Sequence, residues 1–453
     1  MAVYRSGMDS AYAGATEQVL LPEHARRKRG NDIIFAWLSR CQAAKDAGED
    51  VVNGTIGALL EDDGQLAVNI AVNSAIHDVA DFDRSAYSPL PGLRAYRIIA
   101  RSLTIGPRLD EVRDSGLASK AIASPGGCGA LYMTARNLAD PGDKMLLRSN
   151  HWGPYKTILA ECDLERAEWP LTTLNPINHP VVDDVALRLA LRRLAATQRR
   201  VLGWINDPAH NPTGLSLDAA GRRLVLDAWI EAARESPDIG FSLVLDTAYA
   251  AYADERHGWT DTVLERSSNW PNNFFLCWAF SASKSHTMYG LRCGALVMLH
   301  PETAFLERMM EVCLHTGRGT WSGTPRLPQA AIVAIHSDAE KESEWAAELM
   351  RLRGMLTTRR TGFIDTISAA GVQMMPSMDG YFAFLPDSNP AEICEAAASR
   401  GVYVVPLRGG VRIGICSMAT EHVERAAAVI AECWHELRGA GQGNALFNEM
   451  KQE

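Results

Sequence analysis

The sequence predicts an α/β protein with a large domain on a mainly parallel sheet and a smaller α+β domain. Three observations carry this. Short apolar runs alternate with helical segments between about residues 100 and 300. Several of these runs end in glycine, proline or a polar side chain, which gathers candidate binding groups along one sheet edge. A Glu-, Arg- and Leu-rich helical stretch from about 338 to 369 then leads into three further strand-like runs. The expected division is an N-terminal segment that joins the small domain over 1–66, a large domain over 67–335, and a C-terminal small domain over 336–453. A chain of 453 residues exceeds a single ordinary core, in keeping with two domains.

In chain order, Asn31 to Ala47 reads as a helix with Ile33, Ile34, Trp37 and Leu38 on one face. The basic run Arg26-Arg27-Lys28-Arg29 before it reads as a solvated surface. A glycine-punctuated loop follows at Val51 to Ala58, where Gly57 would let a ligand approach the backbone. Tyr87 heads a second loop, stiffened by Pro89 and Pro91.

From Ala121 the alternation is regular. Ala121-Ile122-Ala123 reads as a strand, Ser124 to Gly129 as a glycine-rich loop, and Ala130 to Leu138 as a helix. Free N–H groups at such a helix start suit a phosphate, although many glycine-rich turns bind nothing. Lys144 to Arg148 is the next strand, with Trp152 just beyond it, placed either to stack on a flat ring or to fill core. A helix over about 185–196 leads to the strand Val201 to Asn206, followed by Asp207-Pro208-Ala209-His210-Asn211-Pro212-Thr213-Gly214, where flanking prolines aim the Asn211 amide. The strand Ser242 to Asp246 is closed by a carboxylate at the edge where open α/β sheets bind ligands. A helix N-cap is the structural alternative for Asp246. The strand Phe274 to Phe280 delivers Ser281-Ala282-Ser283-Lys284, and Gly294 to Leu299 forms another strand. In the small domain, Gly380 to Leu385, Val402 to Val405 and Val411 to Ile415 read as strands, and Arg412 interrupts the last. An arginine in an apolar strand calls for an anionic partner, and a carboxylate fits it.

Charge and cysteine usage exclude several classes. A formal net charge of −9 leaves no overall basic field for nucleic acid or anionic lipid. Nine cysteines, without C-x-x-C spacing, argue against a disulfide scaffold and against a zinc site. The opening residues lack an apolar signal core and no segment has the length of a membrane span, so the expected location is cytoplasmic and the expected ligand a small molecule.

Lys284 is the reactive centre in this reading. An amine that attacks a carbonyl must be placed and partly desolvated, and the apolar run before Lys284 supplies both. Ser281 and Ser283 offer hydroxyls, and Arg292 adds a fork of donors suited to a phosphate. Together they describe a lysine that forms an imine with a phosphorylated aldehyde, pyridoxal phosphate.

The ordered set His210-Asn211-Pro212-Thr213-Gly214, Asp246-Thr247-Ala248-Tyr249, Ser281-Ala282-Ser283-Lys284 with Arg292, and the late Arg412 resembles the aspartate and aromatic aminotransferases, which are fold-type I pyridoxal-phosphate enzymes of class I and II. The resemblance covers roughly residues 50 to 420. It implies that Lys284 carries the cofactor as an imine and later moves the substrate α-proton, while Asp246 pairs with the ring nitrogen. It implies that Tyr249 and Asn211 bond the ring oxygen, that Trp152 stacks on the ring, and that Gly127, Cys128, Ser281 and Arg292 hold the phosphate. Arg412 would clasp the substrate α-carboxylate under the loop around Gly57. The resemblance further implies a homodimer with shared active sites, in which Tyr87 reaches the neighbour's phosphate. Arg318, in Arg318-Gly319-Thr320-Trp321-Ser322-Gly323-Thr324-Pro325, would bind the second carboxylate of glutamate or aspartate across the interface.

The implied reaction moves an amino group between an amino acid and a 2-oxo acid. A second reading keeps the same scaffold for β- or γ-replacement or carbon–carbon bond formation. A third, a non-catalytic cofactor-binding regulator, needs a DNA-binding module for which the N-terminal segment is short. The sequence departs from the family where Tyr155 replaces a histidine that, in dicarboxylate-specific members, commonly backs the ring-nitrogen aspartate, where Gly126 replaces a frequent serine, and in the run Ser285-His286-Thr287-Met288-Tyr289-Gly290.

Overall fold

Side-chain alternation along the central strands explains the layers of the large domain. In the strand Phe274–Ser281, Phe274, Leu276, Trp278 and Phe280 enter one core, while Phe275, Cys277 and Ala279 enter a second on the opposite face. A strand buried on both faces reads as a continuous apolar run, which is what this segment shows. The computed structural model describes residues 17–30, 32–170, 173–174 and 180–439. The opening residues read above for a signal core, and Asn31 at the start of the first expected helix, lie outside the described residues.

The strands are β1 (Val52–Asn53), β2 (Ala118–Pro125), β3 (Lys144–Arg148), β4 (Glu165–Trp169), β5 (Arg200–Asn206), β6 (Gly240–Asp246), β7 (Phe274–Ser281) and β8 (Cys293–His300). The large sheet takes the order β2-β8-β7-β6-β5-β3-β4. Its neighbours are parallel except at β8, which runs antiparallel to both β2 and β7. That reversal matters for the site. It brings the amino end of β8 to the edge where the other strands end, so Arg292 meets the carboxyl ends of β2 and β7.

The helices that position the site are α1 (Ile33–Asp46), α2 (Arg94–Ile105), α3 (Gly126–Asn137), α4 (Pro154–Glu161), α5 (Asp184–Ala195), α6 (Ala219–Glu235), α7 (Thr303–Thr320), α8 (Arg326–His336) and α9 (Ala339–Ala369). Helices α2, α5, α6 and α8 cover one face of the sheet, and α3, α4 and α7 cover the other. The loop expected over Ser124 to Gly129 is a correction: the helix begins at Gly126, so the glycine run is its first turn rather than a connection before it. Gly126 sits at φ +70, and an added Cβ would come within 2.5 Å of the Arg292 guanidinium.

The smaller sheet consists of β9 (Phe382–Pro386), β11 (Val405–Leu407) and β12 (Gly410–Gly414), all antiparallel, while β10 (Val402–Tyr403) pairs with β1 instead. The run expected as one strand from Val402 to Val405 is therefore two strands that serve different sheets. Helices α10 (Pro390–Ala398) and α11 (Val423–Arg438) close this core together with α1. Helix α9 belongs to both cores. Asp338 caps it, Trp345, Leu349, Leu352 and Leu356 pack into the large core, and Phe363 and Ile367 pack into the small one. Among the described residues no helix is long and apolar enough to cross a membrane.

Candidate functional site

The carboxyl edge of the large sheet and the inner face of the small domain line a solvent-open cleft of about 1140 Å³, its mouth included. Of the residues expected at the site, Gly57, Gly127, Cys128, Trp152, Asn211, Asp246, Tyr249, Ser281, Lys284, Arg292 and Arg412 all line it. Tyr87 and Arg318 do not. Tyr87 is 96% exposed, and Arg318 is an exposed side chain that donates to Ser322 Oγ at 2.7 Å.

Lys284 stands in a single helical turn, Ala282–Ser285, directly after β7. Its Nζ donates to the Gly57 carbonyl at 3.0 Å and lies 4.5 Å from the centre of the Tyr289 ring, with the Tyr249 and Tyr381 rings at 5.6 and 5.7 Å. Gly57 is small of necessity, since a Cβ there would stand 2.9 Å from Phe382. Burial disfavours the ammonium and brings the lysine down to about 8.

Asp246 ends β6, buried, and is held at both oxygens. Tyr155 Oη donates to Oδ2 at 2.6 Å, and the Ala248 amide donates to Oδ1 at 3.2 Å. Burial pushes its pKa above the usual carboxylate value, with the Tyr155 bond acting against that. The Tyr155 phenol, pushed well above 10 by burial, is a fixed donor through the neutral range. Where a histidine could titrate, this tyrosine cannot.

Asn211 is aimed by Asn206, whose Oδ1 accepts the Asn211 amide at 2.7 Å and whose Nδ2 donates to the Asp246 carbonyl at 2.8 Å. The Asn211 side chain donates in turn to Tyr249 Oη at 3.2 Å. At the other end of the cleft, Arg292 donates to Ser283 Oγ at 3.2 Å and to the Tyr289 carbonyl at 2.9 Å, facing Ser281 and the first turn of α3. Backbone N–H groups, a guanidinium and hydroxyls at a helix N-terminus form an anion cradle.

Arg412 lies in β12 at 2% exposure, with its guanidinium 4.7 Å above the Phe382 ring and Nη2 donating to the Thr55 carbonyl. Its buried Nε has no partner among the described residues. A buried, incompletely paired guanidinium facing a cleft is suited to an anion brought from outside.

The family resemblance puts Tyr155 where a histidine commonly backs the ring-nitrogen aspartate, and Tyr155 does bond Asp246, whereas Asn206, Tyr289 and the cleft residues Asp32, Ile34 and Phe35 have no assignment from the sequence. Asn206 was open to discovery, since it is the last residue of a strand at the binding edge. Asp32 and Phe35 carry no such signal, because their place depends on how α1 docks.

The cleft fits pyridoxal phosphate: a partly neutral amine beside a carboxylate and a phenol–amide pair, with an anion cradle at one end. A model of the class I and II aminotransferases matches residues 49–430. A tyrosine aminotransferase from Rhizobium meliloti is 24% identical over 407 residues, which cover 89% of this chain and 98% of that protein. An aminotransferase structure from Anaerococcus prevotii superposes with a TM-score of 0.85 at 27% identity, covering 91% of this chain and 98% of its own. An aromatic-amino-acid aminotransferase from Burkholderia pseudomallei, covalently bound to pyridoxal phosphate, shares the fold with a TM-score of 0.72 at 22% identity and covers 90% of this chain and 98% of its own.

Proposed function

We propose, for a chain that belongs to the class I and II aminotransferase family, that it transfers an amino group between an amino acid and a 2-oxo acid, using Lys284 and pyridoxal phosphate. The observation that carries this is the convergence of Lys284, Asp246, Tyr249, Asn211, Arg292 and Arg412 on one cleft from four separate stretches of sequence.

When bound, pyridoxal phosphate supplies an aldehyde carbon and an electron-accepting ring. Lys284 would hold the cofactor through its amine and, when that amine is free, would take the substrate α-proton from one position and return it to another. Asp246 holds a proton at the ring nitrogen, and Tyr155 and Ala248 fix its oxygens for that task. Tyr249 and Asn211 bond the ring oxygen, and Trp152 covers the ring. Gly127, Cys128, Ser281 and Arg292 hold the phosphate. Arg412 receives the substrate α-carboxylate on its free edge.

Capture of the cofactor should follow the neutral fraction of Lys284. At pH 8 about half of such an amine is neutral, against roughly 0.3% for an ordinary lysine. The rate at which a visible band forms on mixing cofactor-free protein with pyridoxal phosphate is expected to rise through about pH 8 and level off above it. A rise that continues to pH 10 would mean that the amine is not depressed.

We place the protein in the cytoplasm, on its unpatterned cysteines, as a homodimer whose partner supplies Tyr87 and Arg318, both exposed in the single chain. If Arg318 meets the second carboxylate of glutamate or aspartate, Arg318→Ala should lower kcat/KM for the dicarboxylate by about 10- to 150-fold, the equivalent of roughly 1.5–3 kcal/mol for a charged hydrogen bond. A neutral amino acid should change by about twofold or less on the same scale of effects. Equal losses for both substrates would remove Arg318 from the site.

The reading is tested by following the nitrogen of 15N-glutamate into products across a panel of 2-oxo acids. Label that appears in a new amino acid, in step with 2-oxoglutarate, supports amino transfer. Release of ammonia, or a product with a new β- or γ-substituent, would replace it with the other chemistries of this scaffold.

A further inference from the structure

Behind Lys284, on the side away from the cleft, lies a chain of hydrogen bonds that the proposed reaction does not use. Ser285 Oγ is 2.9 Å from His286 Nδ1, His286 Nε2 is 3.0 Å from His336 Nε2, and His336 Nδ1 is 3.0 Å from Glu342 Oε1. We propose that Ser285, His286 and His336 are positioning residues for Lys284, forming a relay with two opposite polarities set by the protonation of His336. This rests on the reading of Lys284 as the reactive amine.

The polarity of the resting chain follows from its end. A carboxylate only accepts, so His336 carries its hydrogen on Nδ1, toward Glu342. In the neutral ring Nε2 is then an acceptor, and His286 Nε2 must donate to it. His286 Nδ1 is left as an acceptor, and Ser285 Oγ donates to it. Burial holds both rings below the ordinary histidine value, which favours this neutral arrangement.

One added proton reverses the two bonds that His286 makes and leaves His336 donating to Glu342. Ser285 Oγ passes its proton to His286 Nδ1 and takes the incoming one, while His286 Nε2 passes its proton to His336 Nε2. The charge rests on His336, against the Glu342 carboxylate. His286 stays neutral but changes tautomer, and Ser285 turns its donor to the Ser281 carbonyl, 3.3 Å away. Ser281 begins the turn that bears Lys284 and faces the cleft, so the change reaches the reactive amine through its own backbone support.

The same turn is fastened to α9, which joins the two cores. Trp345 Nε1 donates to the Ser285 carbonyl at 3.1 Å, and the His286 ring stacks on Trp345 with centres 5.1 Å apart. Among the described residues, the charged or titratable groups facing the relay are Glu342 from α9, and Arg256 and His257 across the adjoining cavity. Glu342 is half-exposed while the His336 side chain is buried.

The test is side-chain NMR of 15N-histidine in the full chain loaded with pyridoxal phosphate, titrated from pH 8 downward. The expected result is that His336 begins as Nδ1–H and His286 as Nε2–H, and that His286 switches to Nδ1–H at the midpoint where His336 gains its second proton. Glu342→Gln should lower that midpoint by about half a unit to one unit, and the acid limb of kcat by the same amount. A histidine pair that merely packs would change melting temperature without moving either midpoint. Separate titrations, an unswitched His286, or a midpoint indifferent to Glu342→Gln would overturn the proposal. A missing lysine-dependent visible band in the same samples would instead sink the reading of Lys284 and leave the relay's behaviour measured.

Discussion

Lys284→Ala is expected to abolish turnover, lowering kcat by about four orders of magnitude or more, while the protein still folds. The loss is large because the amine has two tasks, attack on the cofactor and movement of the α-proton. Among the described residues, no group that surrounds it matches its chemistry. Tyr249 and Tyr289 are phenols that burial pushes above their ordinary value, so neither serves as a base near neutrality. Stability should change little, since the ammonium makes one hydrogen bond, to the Gly57 carbonyl, and otherwise faces aromatic rings across an open cleft. Activity and the visible band of the loaded protein, measured beside a melting curve, check this. Activity retained above about 1% of wild type would contradict the role, given the 10²–10⁴-fold expected for proton transfer alone.

Arg412→Gln is the second large effect. Leaving a charge unpaired after truncation of its partner costs about 2–5 kcal/mol, so kcat/KM should fall by roughly 30- to 4000-fold. The loss should be alike for every amino acid, because each carries the α-carboxylate, and this separates Arg412 from Arg318. The buried guanidinium also braces the Thr55 backbone over the Phe382 ring, so circular dichroism and the visible band must be checked alongside kinetics. A change confined to dicarboxylates would reverse the two assignments.

Much of the fold and most of the cleft were legible in the sequence, for reasons that differ between elements. The strands ending at Asp246 and Ser281 are buried on both faces, so their apolar runs stand out, and each delivers a functional group where the run stops. Lys284, Asp246, Asn211 and Arg292 could be found because their chemistry is local to a motif. The antiparallel course of β8 was not legible. An apolar strand looks the same in either direction, and pairing is fixed by contacts remote in sequence. The start of α3 at Gly126 was hidden for another reason, since three glycines in four positions carry poor helix propensity and form a helical turn only against Ser281, Arg292 and the sheet. The His286–His336 contact bridges 50 positions, and no spacing rule links such a pair; Tyr155, 91 positions from Asp246, is placed behind it by the family resemblance alone.

Amino transfer through Lys284 is read most directly from the absorption spectrum of the protein loaded with pyridoxal phosphate, recorded beside Lys284→Ala as glutamate and then 2-oxoglutarate are added. The expected result is a visible band that needs Lys284, is bleached in proportion to glutamate without any 2-oxo acid present, and returns when 2-oxoglutarate is supplied. A lysine-dependent band that glutamate and a panel of other amino acids leave unchanged, or one that bleaches and does not return with any 2-oxo acid, would contradict it.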